Sequence, residues 1–425
     1  MLRTPAGRIQ VGNGIAYRLW PVLSRLGRLY RVTAARNVRL TVVVGSFGKS
    51  TTTRAVATAL AAPLPKSVLA NAWSSIALRL LRTRPTQEHA VIEVGIAAPG
   101  QMARYARMLR PDTVVVTSIG SEHQRTIGSL DAIRDEKARM VEELQRSGTA
   151  VLNGDDANVI AMKERTQARV VTFGFDEACD VQATRVSMDW PEGMRFHVRA
   201  FGEEREARIR LIGRHMVYPA LAAIAVARVH GLSLDDTLLR LESVPPTPGR
   251  MEPVALPNGS IALRDDYKST LETIHVALEE FAEIPVPGRV VMLGDVWDPP
   301  EPEDPIYEAL GARVARIASH FVVVGENLQR YEAGALPAGM EAQAVTYGGH
   351  TPQEAAEALR KVLRPGDVVL IKGRRSQRLD RVRMILQGRS VRCDLDYCDL
   401  RTIDCEECPM LETGWAGHRA IWGQR

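Results

Sequence analysis

No apolar run of about 18 residues occurs in the 425-residue chain, so no membrane-spanning helix is expected. The first residues, Met1-Leu-Arg-Thr-Pro-Ala-Gly-Arg8, lack the apolar core of a secretory signal, and the two absences together point to a cytoplasmic protein. Aromatic residues make up only 5% of the chain and the basic residues are scattered, which argues against a nucleic-acid partner although the net charge is +5. Internal repeats and low-complexity segments are absent, so a solenoid or a disordered chain is excluded. What remains is the composition of a globular protein, 45% hydrophobic and 25% charged, long enough for two or three domains with cores of their own. The positive balance suits anionic ligands such as nucleotides and carboxylates.

One stretch carries chemistry on its own. In Thr41-Val-Val-Val-Gly45-Ser-Phe-Gly48-Lys49-Ser50-Thr51-Thr-Thr53, β-branched residues run into glycines, a lysine and hydroxyls, and a helical segment follows. That order is strand, tight loop and helix N-terminus, where backbone N–H groups and the helix dipole face phosphate. Lys49 is placed to reach the β- and γ-phosphates and the Ser50 hydroxyl to sit on Mg²⁺. The longer phosphate-loop spacing would need glycine at Val43, so this is the shorter G-x-x-G-K-S form; a plain strand–helix turn is the alternative reading.

Residues 1 to about 37 read as a basic, partly apolar arm of one or two short helices. Arginines and Trp20 among leucines fit a membrane-surface or partner-binding helix. Pro21 and Gly27 interrupt the pattern, and packing on the next domain is the reading we prefer. From Val38 to about Pro248, strands and helices alternate as in a parallel α/β sheet, with strands expected at Thr41–Gly45, Ala90–Val94, Thr113–Thr117, Ala150–Leu152 and Val170–Phe173. Val181–Arg210 reads as an antiparallel insertion, and Val217–His230 as a buried helix. Pro245-Pro-Thr-Pro-Gly249 is a rigid turn suited to a domain hinge. A hairpin around Pro257-Asn-Gly259 opens a second α/β domain, with strands at Val290–Leu293, Phe321–Val324 and Val368–Lys372, ending near Gly388. The domains expected are therefore 1–37, 38–248, 249–388 and a cysteine-rich tail, 389–425.

Three further residues fall where the first domain's strands end, the usual ligand side of an open α/β sheet. Glu93 closes Ala90-Val-Ile-Glu93, His123 follows Val114 to Glu122, and Lys137 lies in the helical stretch Asp131–Gln145. A carboxylate near the Lys49 loop suits Mg²⁺–nucleotide binding, and a histidine can complete a metal shell. Singly, each is as readily a cap, a loop residue or a solvated charge; together they point to a site.

The ordered set Gly45-Ser-Phe-Gly-Lys-Ser, Glu93-Val-Gly, Ser118-Ile-Gly-Ser-Glu-His123, Gly128 to Lys137, Gly213-Arg-His215, Pro248-Gly-Arg250-Met-Glu252 and Asp265-Asp-Tyr-Lys-Ser-Thr270 resembles the Mur ligase superfamily. Leu293-Gly-Asp295 and Ile371-Lys-Gly-Arg-Arg-Ser376 are similar to the second-domain motifs of its D-alanyl-D-alanine-adding branch. The resemblance implies an α/β fold, with a P-loop central domain on a mostly parallel sheet and a Rossmann-like C-terminal ligase domain. It also implies an ATP- and Mg²⁺-dependent carboxylate–amine ligase working through an acyl phosphate. By it, Lys49, Glu93, His123 and Lys137 are catalytic, with Lys137 matching a lysine carbamylated in many members. Gly45, Gly48, Lys49, Ser50, Thr51 and Asn71 hold the nucleotide, as do Arg250, Asp266 and Lys268 once the second domain closes. Ser50, Glu93 and His123 hold metal. Gly373, Arg375 and Ser376 match the amino-substrate site. Small-molecule carboxylate and amine substrates are the implied partners, and the arm or tail is a candidate contact for a protein partner. A P-loop ATPase or nucleotide-binding subunit of a larger, amidotransferase-type complex is the alternative.

Two departures bear on substrate. The family's Gly-x-His-Asn-x-x-Asn reads Gly213-Arg-His215-Met216-Val-Tyr-Pro219, so both asparagines, one of which recognises adenine, are missing. About 37 residues precede the first strand, where murein-pathway members carry a UDP-sugar-binding domain, and a non-UDP acyl substrate is expected. Outside the resemblance, Cys393, Cys398, Cys405 and Cys408 are four of the chain's five cysteines, crowded among acidic residues. Their number fits a Cys₄ zinc site, with iron–sulfur ligation a weaker match; reactive thiols or disulfides, and then no special role, are the other readings.

Overall fold

The computed structural model of the chain describes residues 3–63, 71–122, 124–400 and 403–416. The chain gathers into two compact units, Gly12–Pro245 and Met1–Val11 with Pro246–Arg425.

The helices α1 (Pro5–Arg18) and α2 (Trp20–Val32) lead into the eight-stranded sheet of the first of these units. The sheet consists of β1 (Arg39–Val44), β2 (His89–Glu93), β3 (Thr113–Val116), β4 (Thr149–Asn153), β5 (Arg169–Gly174), β6 (Val181–Asp189), β7 (Gly193–Ala200) and β8 (Glu203–Ile209), in the order β2-β1-β3-β4-β5-β6-β7-β8. Pairing is parallel as far as β6 and antiparallel through the β6–β7–β8 meander. The four leading strands are buried almost throughout, which is why they read as continuous apolar runs rather than alternating ones. Helices α3 (Lys49–Ala59), α4 (Ser74–Leu81) and α5 (Gln101–Leu109) and the buried, alanine-rich Val217–Val229 cover the sheet. β1, between β2 and β3, delivers its C-terminal end directly into the glycine loop.

At the opposite, N-terminal ends of β2 and β3, His89 and His230 stack edge to face with ring centroids 4.9 Å apart, and His230 Nε2 lies 3.3 Å from Thr113 Oγ1. Burial holds both imidazoles below their ordinary value, His230 down to about 4. The unfolded chain then takes up these protons first. Stability is fully present above about pH 6.5 and declines as pH falls toward about 4; allowing for partial solvent access, His230 contributes about 1–2 kcal/mol of that decline. Melting temperature measured from pH 8 to pH 5 should therefore fall less steeply in His230→Asn than in the parent chain.

The second unit is built on a six-stranded sheet with the order β13-β12-β11-β14-β10-β9. Its strands are β9 (Glu252–Ala255), β10 (Ile261–Arg264), β11 (Arg289–Leu293), β12 (His320–Val323), β13 (Val345–Tyr347) and β14 (Val368–Lys372), all parallel except the edge pair β9–β10. Among the described residues, no helix is long and apolar enough to cross a membrane.

Candidate active site

The loop after β1 owes its shape to two glycines and to the segment that follows β3. Gly45 has φ +149°, and a Cβ there would lie 2.0 Å from Thr117 Oγ1; Gly48, at φ +78°, caps α3. Thr117 Oγ1 donates to Phe47 O at 2.6 Å, the Phe47 N–H donates to Ser118 Oγ at 2.9 Å, and Ser46 N donates to Ser118 O at 2.8 Å. The loop is thus held open by hydroxyls from a neighbouring strand end, with its N–H groups at the start of an 11-residue helix.

Three charged side chains are brought together at this loop although only 8% (Lys49), 1% (Glu93) and 1% (Lys137) exposed. Lys49 Nζ donates to the carbonyls of Gly45 and Ser46, each at 2.8 Å, and lies 3.4 Å from Glu122 Oε2. Lys137 Nζ donates to Ser46 Oγ at 2.7 Å, which itself accepts from Gly120 N at 2.8 Å. Glu93 is the register partner of Val43, two residues before the loop; Asn71 Nδ2 donates to its Oε1 at 2.6 Å, while its Oε2 is buried with no hydrogen-bond partner among the described residues. A buried carboxylate oxygen without a donor costs free energy unless a cation meets it. Glu93 with Ser50 supplies the hard oxygen donors that suit Mg²⁺, a metal that takes few protein ligands and fills its shell with water and phosphate. Thr51 is buried in the first turn of α3. His123 lies outside the described residues. Ser46, Thr117 and Glu122 were not singled out from sequence; Ser46 carried a signal, as the polar residue between the two loop glycines.

Met216 and Pro219, standing where the resemblance calls for asparagines, are both buried around the start of the helix Val217–Val229. The polar groups near them are of another kind: Tyr218 OH donates to Asp155 Oδ2 at 2.8 Å, and the Arg214 guanidinium lies 4.2 Å from the Phe175 ring centroid.

In the other unit, the expected residues again sit at strand ends. Gly249 has φ +66°, and a Cβ there would lie 2.7 Å from Asp266 Oδ1. Burial pushes the Asp266 carboxyl up to about 6, opposed by Arg264 at 3.3 Å. Tyr267 joins two of the expected residues: the guanidinium groups of Arg250 and Arg375 lie 4.3 and 4.5 Å from its ring centroid, and Arg375 also donates to its hydroxyl at 3.0 Å. Lys372, the buried last residue of β14, donates to the Asp265 carboxylate and to Lys268 O, and burial holds its ammonium below the ordinary value. Gly373 leaves no space for a Cβ, which would lie 2.6 Å from Leu379, and Ser376 Oγ is buried without a hydrogen-bond partner among the described residues. Gln377, which sequence did not single out, accepts from Asp295 N and Arg374 N through one oxygen and so ties two strand ends together.

The tail differs from the zinc expectation. Among the described residues, no group of three or more His, Cys, Asp or Glu is placed to hold a metal. Cys393 and Cys398 pack with Leu400, Met410 and Trp415, whereas Cys405 packs with Met384 and Leu411, and burial pushes the Cys405 and Cys408 thiols up. All are free thiols. The reason lies in two arginines that spacing could not reveal. Fully buried Arg381 donates to the carbonyls of Arg378, Gln377, Cys393 and Leu395, and Arg378 donates to Leu400 O. They pin the tail, so that its cysteines fill space as small apolar groups. Arg381→Met should cost about 3 kcal/mol or more in denaturant unfolding, because it strands several buried carbonyls at once.

Strand, glycine loop and helix N-terminus, with a lysine folded into the loop and a buried carboxylate on the adjacent strand, mark the Gly12–Pro245 unit as a phosphate-binding unit of the P-loop class. The chain belongs to the Mur ligase family, ATP-dependent enzymes that form amide bonds. The family model for the Mur ligase middle domain matches residues 43–227, and that for the Mur ligase glutamate ligase domain matches residues 249–375. A UDP-N-acetylmuramoyl-tripeptide–D-alanyl-D-alanine ligase from Mycobacterium bovis is 30% identical over 393 residues, covering 85% of this chain and 75% of its own. The Bacillus subtilis ligase of the same name is 24% identical over 348 residues, covering 81% and 75%. Among solved structures, MurF from Acinetobacter baumannii superposes with a TM-score of 0.78 at 22% identity over 87% of this chain and 81% of its own, and MurF from Thermotoga maritima in complex with ADP with 0.73 at 21% over 87% and 83%. These likenesses do not favour the alternative of a P-loop ATPase or nucleotide-binding subunit of a larger complex.

Proposed function

We propose that the chain joins a carboxylate to an amine by way of an acyl phosphate, with the phosphate loop and its two buried lysines as the phosphoryl-transfer end of the site. The carrying observation is that Lys49 and Lys137 converge on one loop residue, Ser46, while Glu93 ends the neighbouring strand with a buried oxygen that has no hydrogen-bond partner among the described residues.

A carboxylate is a poor acyl donor. Transfer of the γ-phosphoryl group of ATP to it gives a good leaving group; the amine then attacks the carbonyl carbon, the C–O bond to phosphate breaks, and the amine's proton is released. Lys49, freed from the loop carbonyls, balances charge on the transferred group, and the α3 N–H groups cradle the phosphates. Glu93, Ser50 and His123 would hold Mg²⁺, which would supply neutralisation of phosphate charge. Asn71 orients Glu93. Arg250, Asp266 and Lys268 are assigned to the nucleotide, and Gly373, Arg375 and Ser376 to the amine, Tyr267 holding the two arginines in place. Nucleotide preference is set without the missing asparagines, and Tyr218, Phe175 and Arg214 are the groups available to replace them.

An ATP-consumption screen over amino acids and dipeptides, paired with UDP-linked and UDP-free carboxylates, tests this reading. Hydroxylamine should trap the activated acyl group as a hydroxamate only when the right carboxylate is present. ATP hydrolysis that no carboxylate stimulates would overturn it. Turnover confined to UDP-linked donors would overturn the UDP-free expectation alone.

A further inference from the structure

Helix α2 has three faces where a packed surface helix needs two. Trp20, Gly27 and Arg31 are buried, and Leu23 and Tyr30 pack against the core. A Cβ on Gly27 would lie 3.2 Å from Met108 Sδ, so the helix sits close against α5. Arg31 clamps it there, donating to Leu109 O at 3.0 Å, Ala35 O at 2.6 Å and Val38 O at 3.1 Å, and pairing with Asp112 at 2.8 Å. Burial on the domain is therefore satisfied without the residues that remain.

Those residues form an aliphatic ridge. Ile15, Leu19, Val22, Leu26, Leu29 and Val32 are 55%, 47%, 54%, 49%, 59% and 41% exposed. On α2 the spacing of three or four keeps Val22, Leu26, Leu29 and Val32 along one side for about 15 Å of helix, with Ile15 and Leu19 leading into the row from α1. Arg18, Arg25 and Arg28 are exposed on the same two helices, and Arg36 and Arg39 follow. The first 87 residues contain no aspartate or glutamate; Arg39 pairs with Glu88 at 3.7 Å, whereas Arg18, Arg25 and Arg28 make no ion pair among the described residues.

We propose that this ridge docks on an anionic lipid surface, the aliphatic side chains entering the acyl boundary and the arginines meeting acidic headgroups. The chemistry selects the occupant. A second copy laid along the ridge would bring Arg18, Arg25 and Arg28 against their own counterparts with no acid to separate them. The ridge is a convex row of aliphatic side chains flanked by arginine, the form taken by interfacial helices, and an anionic membrane offers apolar depth and negative charge together. The helix stays folded off the membrane because its buried face and the Arg31 clamp already hold it. Docking therefore carries no ordering cost.

The test is co-sedimentation of the full chain with vesicles of 3:1 phosphatidylcholine and phosphatidylglycerol, against pure phosphatidylcholine. Binding is expected on the anionic vesicles, about tenfold or more weaker on the neutral ones, and weakened about tenfold by high salt. Leu26→Glu with Leu29→Glu should abolish it, and Arg25→Gln with Arg28→Gln should weaken it about tenfold, both with unchanged melting temperature because all four side chains are exposed. Absence of sedimentation with anionic vesicles overturns the proposal, as does binding that survives Leu26→Glu with Leu29→Glu. A dimer in light scattering that those glutamates dissolve, without vesicle binding, would assign the ridge to a second copy and likewise overturn it.

Discussion

Lys49→Ala is expected to remove ATP-dependent turnover by about 10³-fold or more, while leaving the fold intact. In the structure, Lys49 Nζ is folded back on Gly45 O and Ser46 O, within reach of Glu122. That arrangement places a cation at the mouth of the glycine loop, held by two neutral carbonyls and a longer ion pair to Glu122 at 3.4 Å. Loop shape does not depend on it: Gly48 caps α3, and Thr117 and Ser118 brace Phe47 from the next strand end. The expected loss is therefore electrostatic, and Lys49→Arg should recover little of it, because a planar guanidinium does not fit a pocket closed around an ammonium. Coupled ATP consumption measures the effect and thermal melting controls for folding. Undiminished turnover in the alanine variant would remove the phosphate-loop assignment altogether.

Why this end of the site is legible in sequence, and the rest less so, follows from the range of the interactions. Strand, glycines, lysine and hydroxyls are contiguous from Thr41 to Thr53, so each local preference agrees with the next; β1 lies within two residues of expectation, and α3 begins at Lys49, earlier than the helix expected after Thr53. The α/β class followed from the same agreement in both halves. Ser46 could not be read as the meeting point of two lysines, because Lys137 reaches it across 91 positions. Strand β13 was missed: Val345-Thr-Tyr347 is a short, half-exposed edge strand without an apolar run to announce it. The tail cysteines misled for a related reason. Spacing gives the number of candidate ligands, whereas their fate depends on Arg378 and Arg381, which bury the tail through carbonyls no motif encodes. Pro21 and Gly27 pointed to a packed N-terminal helix, and α2 does pack; what they hid was the exposed aliphatic row, flanked by arginines, on its other side.

Lys137 is the second residue on which the proposed chemistry depends, and it makes a finer prediction than Lys49. Its amine is 1% exposed and donates to Ser46 Oγ at 2.7 Å, on a helix whose first turn is capped by Ser129. As a plain ammonium it would add positive charge at the loop. As a carbamate, formed when the amine nitrogen attacks CO₂ and a proton leaves to solvent, it would instead present a carboxylate beside the residues assigned to Mg²⁺. The two forms predict opposite behaviour of one variant. Lys137→Ala should lose activity by about 10²–10³-fold in either case. Only the carbamate form predicts that a small carboxylate such as acetate or formate restores part of the activity, and that turnover in the unaltered chain rises with bicarbonate. Intact protein mass is a poor readout, because acid reverses a carbamate, whereas ¹³C NMR after exchange with ¹³CO₂ reports the adduct directly. Rescue by methylamine but not by acetate, with no ¹³C adduct, would fix Lys137 as a cationic group. The charge balance of the loop would then rest on Glu93 and Glu122 alone among the described carboxylates assigned to it here.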